Sequence, residues 1–133
     1  EISRLIKEYS LSDNLFVLGA VSDSEKFETL YKSKYCMFPS RVEGWGLVPV
    51  EAMACGLEVV AYDLPAYKSN IYGSKFAKLS EIGDIDGIAR FVIELLLQKK
   101  SKYTLSEFRG FVDRFSLQSV ANRELELIAN EEN

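Results

Sequence analysis

Apolar positions along the chain alternate between helical spacing and short unbroken runs. Ile2, Leu5 and Ile6 share one helical face, which predicts a helix over residues 1–10. Leu15-Phe16-Val17-Leu18 is a continuous apolar run closed by Gly19, the pattern of a buried strand. Ser22-Asp-Ser-Glu25 has the form of a capping box, so a helix should start near Asp23 and turn Phe27, Leu30 and Tyr31 inward. Tyr35-Cys-Met-Phe38 predicts a second strand, ended by Pro39. A short helix is expected from Pro49 to Cys55, with proline at its first position and Gly56 as a left-handed stop. Val59-Val-Ala-Tyr62 and Phe76-Ala-Lys-Leu79 read as further strands.

The last third is helical. Ile85, Ile88, Val92, Leu95 and Leu96 keep helical spacing behind Asp84, a suitable N-cap. Thr104-x-x-Glu107 is a second capping box, and Ser116 caps a final helix carrying Val120, Leu125 and Ile128. Apolar strands joined by helices imply an α/β fold, a Rossmann-like parallel sheet covered by helices on both faces. The length of 133 residues suits one domain. The chain opens at Glu1, already inside a helical stripe, and reads as a piece of a longer protein.

Composition narrows the chemistry. Histidine is absent, which removes the Ser-His-Asp triad, the Cys-His pair and the zinc-binding helix with two histidines. Two cysteines are too few for a disulfide scaffold and point to a reducing cytoplasm; Cys36 and Cys55 are expected to be small core residues. A net charge of −4 gives no bulk attraction for nucleic acid or an anionic membrane. No apolar run reaches the roughly 18 residues of a membrane-spanning helix.

What chemistry remains gathers between the second strand and the helix after it. In an open parallel sheet, ligands sit beyond the carboxyl ends of strands. Gly44 and Gly46 permit positive φ and a close approach of backbone to ligand. A helix starting near Val48 or Pro49 presents first-turn amides with no intrahelical partner, a socket for a phosphate. Pro49 has no N–H, so Leu47, Val48 and Val50 are the expected donors. Glu43 in the loop and Glu51 in the first helical turn flank the socket and suit hydroxyl groups beyond the phosphate. Two polyols around a phosphate describe a sugar nucleotide. The same residues carry a second meaning: a first-turn Glu51 is favoured by the helix dipole with no ligand present, and Glu43 reads also as a solvated loop charge. A non-catalytic Rossmann-like module holding a phosphorylated ligand is the alternative reading. An epimerase or phosphorylase relative sharing the fold is a third.

The stretch Pro39-Ser40-x-x-Glu43-Gly44-Trp45-Gly46-Leu47-x-x-x-Glu51-Ala52-Met53-Ala54-Cys55-Gly56 resembles the donor-site signature of the family 4 retaining glycosyltransferases. The resemblance extends over about residues 1–130, including Phe16-Val-Leu-Gly19, Glu58-Val-Val-Ala-Tyr62 and Phe115-Ser-Leu-Gln118. It implies the C-terminal half of a GT-B fold: residues 1–133 would be a partial donor-binding domain, with 116–131 its terminal helix. Glu43 would be the catalytic carboxylate, bonded to hydroxyls of the donor sugar. The amides from Gly44 through Trp45, Gly46 and Leu47 to Val48 would face the sugar and distal phosphate. Glu51 would hold the ribose, and the loop at Gly19-Ala-Val21 would lie along the base. The implied reaction moves a sugar from a nucleotide diphosphate to an acceptor hydroxyl with retention, the leaving phosphate taking the acceptor proton. No metal or other cofactor is required by the motif.

The same resemblance places a strand ending in Gly-Arg, a nearby Lys and a whole acceptor-side domain upstream of Glu1. Without those strands the run at 15–18 loses its neighbours and must pair elsewhere, recruit another chain or leave an open edge. The isolated chain is therefore expected to be inactive, with an acceptor sugar or lipid-linked glycan reached through the other domain. Glu58 stands where the family usually has proline, and Ala66 and Lys68 where it often has glycine and an acidic residue. Trp45 is expected to be part-buried, and Arg41 a solvated loop cation. Lys99, Lys100 and Lys102 compensate a helix dipole and, with peripheral contact at the inner face of a membrane in view, fall short of the roughly 4–8 basic residues of lipid recognition.

Overall fold

The computed structural model describes residues 1–98 and 101–131. Its elements are α1 (Ile2–Glu8), α2 (Asp23–Lys32), β1 (Tyr35–Phe38), α3 (Leu47–Ala54), β2 (Glu58–Tyr62), β3 (Ala77–Ser80), α4 (Ile85–Leu97), α5 (Leu105–Val112) and α6 (Leu117–Glu131), with 3-10 turns at Pro65–Ser69 and Asp113–Phe115. The strands form one parallel sheet in the order β1-β2-β3. This is an α/β, Rossmann-like arrangement, consistent with a fragment of a GT-B fold.

Every residue of β2 is buried, and successive side chains point to opposite faces, so both faces of the central strand are covered. Helix α3 packs over β1 and β2, α4 over β2 and β3, and α5 over α3. Val59, Val60, Ala61, Met53, Leu57, Ile71 and Leu95 make up the middle of this core. Phe76 joins the sheet to α5, stacked on Phe108 at 4.3 Å between ring centroids and edge-on to Tyr103 and Phe111.

Local signals place the helix ends. Both capping boxes form: Ser22 with Glu25 and Thr104 with Glu107. The Asp84 carboxylate accepts from the Gly87 N–H at 2.8 Å, and Gly56 ends α3 at φ +88°. Ser116 accepts from the Ser119 N–H and caps α6. The stripe of α6 is not buried, however: Val120, Leu125 and Ile128 are exposed. Tyr31 also points outward, while Phe27 and Leu30 turn inward as expected.

One expected strand is absent. Residues 15–18 lie outside the sheet, with Phe16 74%, Val17 61% and Leu18 61% exposed. The apolar run has the composition of a strand but no ladder partner, and a strand without a neighbour gains no backbone bonds. It lies instead beside α1, the two lining an open apolar cleft of about 560 Å³ with Leu5, Ile6, Tyr9, Leu15, Phe16 and other residues along it. The outer edge of β1 is unpaired in the described sheet, Met37 on it is exposed, and a groove of about 510 Å³ runs beside it along Val60, Val92 and Leu96. Glu58 heads β2 as a buried carboxylate, its Oε1 without a hydrogen-bond partner among the described residues. No described helix is long and apolar enough to cross a membrane. Lys99 and Lys100 lie outside the described residues; Lys102 is exposed.

The α5 cap sets an acid limit. The Lys75 ammonium at 2.6 Å, followed by the Thr104 N–H and hydroxyl, brings the Glu107 carboxyl down to about 2 from its ordinary 4.5. A depressed carboxyl stabilises the fold above its unfolded value and loses that contribution as pH falls through the folded one. Urea unfolding should show stability dropping from about pH 4.5 towards pH 2. Glu107→Gln should flatten that part of the profile; an unchanged slope would show that other carboxylates set it.

Candidate functional site

The loop between β1 and α3 is shaped by one glycine. Gly46 is the N-cap of α3 at φ +92°, ψ 54°, a left-handed conformation that turns the chain into the helix. The helix consequently begins at Leu47, earlier than the sequence indicates, and Pro49 is its third residue instead of its first. That shift decides which amides are free. The donors at this end without a partner among the described residues are Gly46, Leu47 and Val48; Pro49 has no N–H, and Val50 is the first residue placed to bond back to the cap. Val50 is thus removed from the expected donors. Glu51 lies one turn into the helix, and the first turn holds no acidic residue, so the dipole argument for a first-turn carboxylate does not apply to it.

Gly44 and Gly46 prove to serve different ends. Gly44 does not take positive φ, and a Cβ on it would meet nothing within 4 Å, leaving open space over the loop. A Cβ on Gly46 would lie 2.5 Å from Cε1 of Tyr67, so the backbone there rests directly on a ring. Tyr67 comes from the 3-10 turn after β2, where Ala66 and Lys68 flank it. Asn70, just past that turn, donates from Nδ2 to the Trp45 carbonyl. Trp45 is half-buried and edge-on to Phe115 at 5.2 Å, a packing role for its ring. On the sheet side, the Ser40 hydroxyl donates to the Val42 carbonyl at 3.0 Å.

The two carboxylates stand differently. Glu43 is half-buried and makes no hydrogen bond or ion pair with a described residue. Its charge is felt by the Tyr67 hydroxyl, which burial, then Glu43, then Cys36 push up to about 12. Glu51 accepts from the Lys26 ammonium at 3.0 Å, and Lys26 reaches Asp23 at 3.1 Å. Those carboxylates, Glu51 first, raise the Lys26 pKa. Both ends of the Lys26–Glu51 pair remain in partial contact with water, where such pairs are weak and readily exchanged. Glu51 also rims an apolar cavity of about 470 Å³ with Phe27, Leu47, Arg109, Phe115 and Ser116; Glu43 does not line it.

Val21 stands apart from this group. It is exposed before α2 and lines a smaller cavity with Leu18, Glu25 and Thr29. Arg41 is exposed. Neither cysteine is poised as a nucleophile: burial pushes the Cys36 thiol up to about 11 and raises that of Cys55. Three residues of the site escape sequence reasoning. Lys26 is separated from Glu51 by 25 positions, and Tyr67 and Asn70 come from a turn after the next strand, so no local pattern joins them to the loop.

Residues 1–108 match the model of the family described as glycosyl transferases group 1. The chain belongs to that family. Among its relatives, it is 36% identical over 87 residues to a phosphatidyl-myo-inositol mannosyltransferase of Mycolicibacterium smegmatis, covering 65% of this chain and 22% of that protein. It is 31% identical over 121 residues to an MMP alpha-(1->4)-mannosyltransferase of Mycolicibacterium hassiacum, 89% of this chain and 29% of that protein. A third, an N-acetyl-alpha-D-glucosaminyl L-malate synthase of Bacillus anthracis, is 29% identical over 106 residues, 80% of this chain and 27% of that protein. The chain thus spans less than a third of the length of these relatives.

The contrast between the two loop glycines is measurable. A residue with a Cβ at left-handed φ costs about 1–2 kcal/mol, before the Tyr67 ring moves aside. Gly46→Ala should therefore lower unfolding free energy by at least that amount, and Gly44→Ala by less than about 0.5 kcal/mol. Equal effects in urea titrations would contradict the left-handed turn at Gly46.

Proposed function

We propose that this group 1 glycosyltransferase chain binds a nucleotide-diphosphate sugar at the Glu43–Glu51 turn, as part of an enzyme of the family 4 type that retains anomeric configuration. The observation that carries the reading is the free end of α3: Leu47 and Val48 present amides without a partner among the described residues at the positive pole of a helix, and the loop leading into it holds an open Gly44 and a Glu43 carboxylate likewise without a described partner. In this reading the amides of Gly46 to Val48 take the distal phosphate, with Gly44 and Trp45 contributing backbone along the sugar. Glu43 accepts hydrogen bonds from donor-sugar hydroxyls and is the carboxylate nearest the reacting centre. Glu51 exchanges Lys26 for the ribose hydroxyls, and the Val21 loop borders the base.

The chemistry asked of this chain is positional. The amide socket stabilises negative charge on the departing diphosphate, and that phosphate takes the proton of the acceptor hydroxyl as the new glycosidic bond forms on the same face. Such a step uses no imidazole, in keeping with a chain that has no histidine. The acceptor, a sugar or lipid-linked glycan, would be presented by a part of the protein outside this chain, at the cytoplasmic side of a membrane or free of it. The chain alone should bind donor and transfer nothing.

Nucleotide titrations separate this from a module that merely holds a phospholigand. GDP, UDP and ADP, each with and without a sugar, would be followed by the emission of Trp45, the one tryptophan. Glu51→Ala should weaken every nucleotide, and Glu43→Ala mainly those bearing a sugar. A lost hydrogen-bonded carboxylate is worth about 1–3 kcal/mol of affinity. Wild-type binding by both variants would remove the assigned roles.

A further inference from the structure

We propose that Tyr67 and Asn70 are positioning residues for Glu43, holding the loop from beneath and orienting its carboxylate toward the donor. The proposal rests on the donor-site reading above and names residues that reading does not use.

Asn70 is 1% exposed, and its side chain bonds in two directions. Nδ2 donates to the carbonyl of Trp45, two residues beyond Glu43, while Oδ1 accepts from the Ile71 N–H. Its own carbonyl accepts from Arg114, whose guanidinium lies over Phe111 at 4.2 Å and Phe115 at 4.6 Å. Phe115 in turn meets the Trp45 ring. The loop is therefore fastened at Trp45 by an amide and a ring that share one anchor, Arg114.

Tyr67 supplies the floor and an unused donor. Its ring is 0% exposed beneath Gly46, yet its hydroxyl has no hydrogen-bond partner among the described residues. Buried polar groups are almost always paired, so an orphan hydroxyl invites a function. The Glu43 carboxylate, also without a partner among the described residues, stands three positions before Gly46 on the loop that this ring supports, and after burial its charge adds to the rise of the hydroxyl's pKa. A phenol can donate and a carboxylate can only accept. When a donor sugar settles on the loop, the Tyr67 O–H is the unused donor that can bond one Glu43 oxygen and leave the other for the sugar. The burial that makes the hydroxyl costly when unpaired is what makes the bond worth forming.

Tyr67→Phe removes the hydroxyl and keeps the ring; Asn70→Asp keeps the acceptor and removes the donor. The readouts are Trp45 emission without ligand, and the affinities for GDP-mannose against GDP and UDP-glucose against UDP. In Tyr67→Phe the emission and thermal midpoint should stay or the midpoint rise, while the preference for whichever sugar nucleotide binds falls at least fivefold. A role confined to stability would not produce that split. Asn70→Asp should red-shift Trp45 and lose the same preference. If Tyr67→Phe keeps the preference while Glu43→Ala loses it, the donor site stands and Tyr67's role is overturned. A parent chain that binds no nucleotide overturns the donor-site reading and the orienting of Glu43 with it. The hold on the loop is then decided by Trp45, and an unshifted Asn70→Asp emission overturns that as well.

Discussion

The backbone of Gly46 resting on the Tyr67 ring is the contact from which the site follows. A left-handed residue at that point is what lets a strand that ends at Phe38 re-enter the structure as a helix within eight residues. Only a residue without a Cβ can lie against the ring, since an added carbon would fall 2.5 Å from it. The consequence is electrostatic. With Gly46 as cap, the amides of Leu47 and Val48 have no acceptor among the described residues, and the helix pole they belong to follows directly on the loop that holds Glu43.

Tyr67 can serve as that floor because β2 and its following turn are the best-buried part of the molecule. All five strand residues are out of water, and Leu64, Tyr67, Asn70 and Ile71 continue the burial through the 3-10 turn. Packing of this density tolerates little displacement. Of the flanking residues Ala66 and Lys68, the first is part-buried against the core and the second is exposed, and the Tyr67 ring and Asn70 amide stay in place between and beyond them. The loop is thus positioned from the core outward, not by its own sequence.

That dependence explains what could be read in advance. Capping boxes at Ser22 and Thr104, the Asp84 cap and the Gly56 stop are written in adjacent residues, and the structure forms each one. The strands at β1, β2 and β3 were legible as apolar runs because each finds a neighbour. Residues 15–18 have the same composition and fail, since strand formation needs a partner that no local pattern can supply. The site divides in the same way. Glu43, Gly46 and Glu51 were visible in one motif, whereas Lys26, Tyr67 and Asn70 reach it through tertiary contacts. The early start of α3, which displaced Val50 from the donors, follows from Gly46 adopting a conformation that the sequence permits but does not compel.

The residues of the candidate site therefore fall in two parts held with unequal firmness. Glu43, Gly46 and the α3 amides belong to the dense body built on β2. Val21 belongs to the segment that leads into α2, beside residues 15–18 with their exposed apolar side chains. Lys26 with Glu51 is a polar tie from α2 to the body. Under the proposed donor-site reading, ribose hydroxyls on Glu51 would compete with it. The firm part and the looser one are thus joined at Glu51, the carboxylate that α3 holds in the body and that Lys26 reaches from α2.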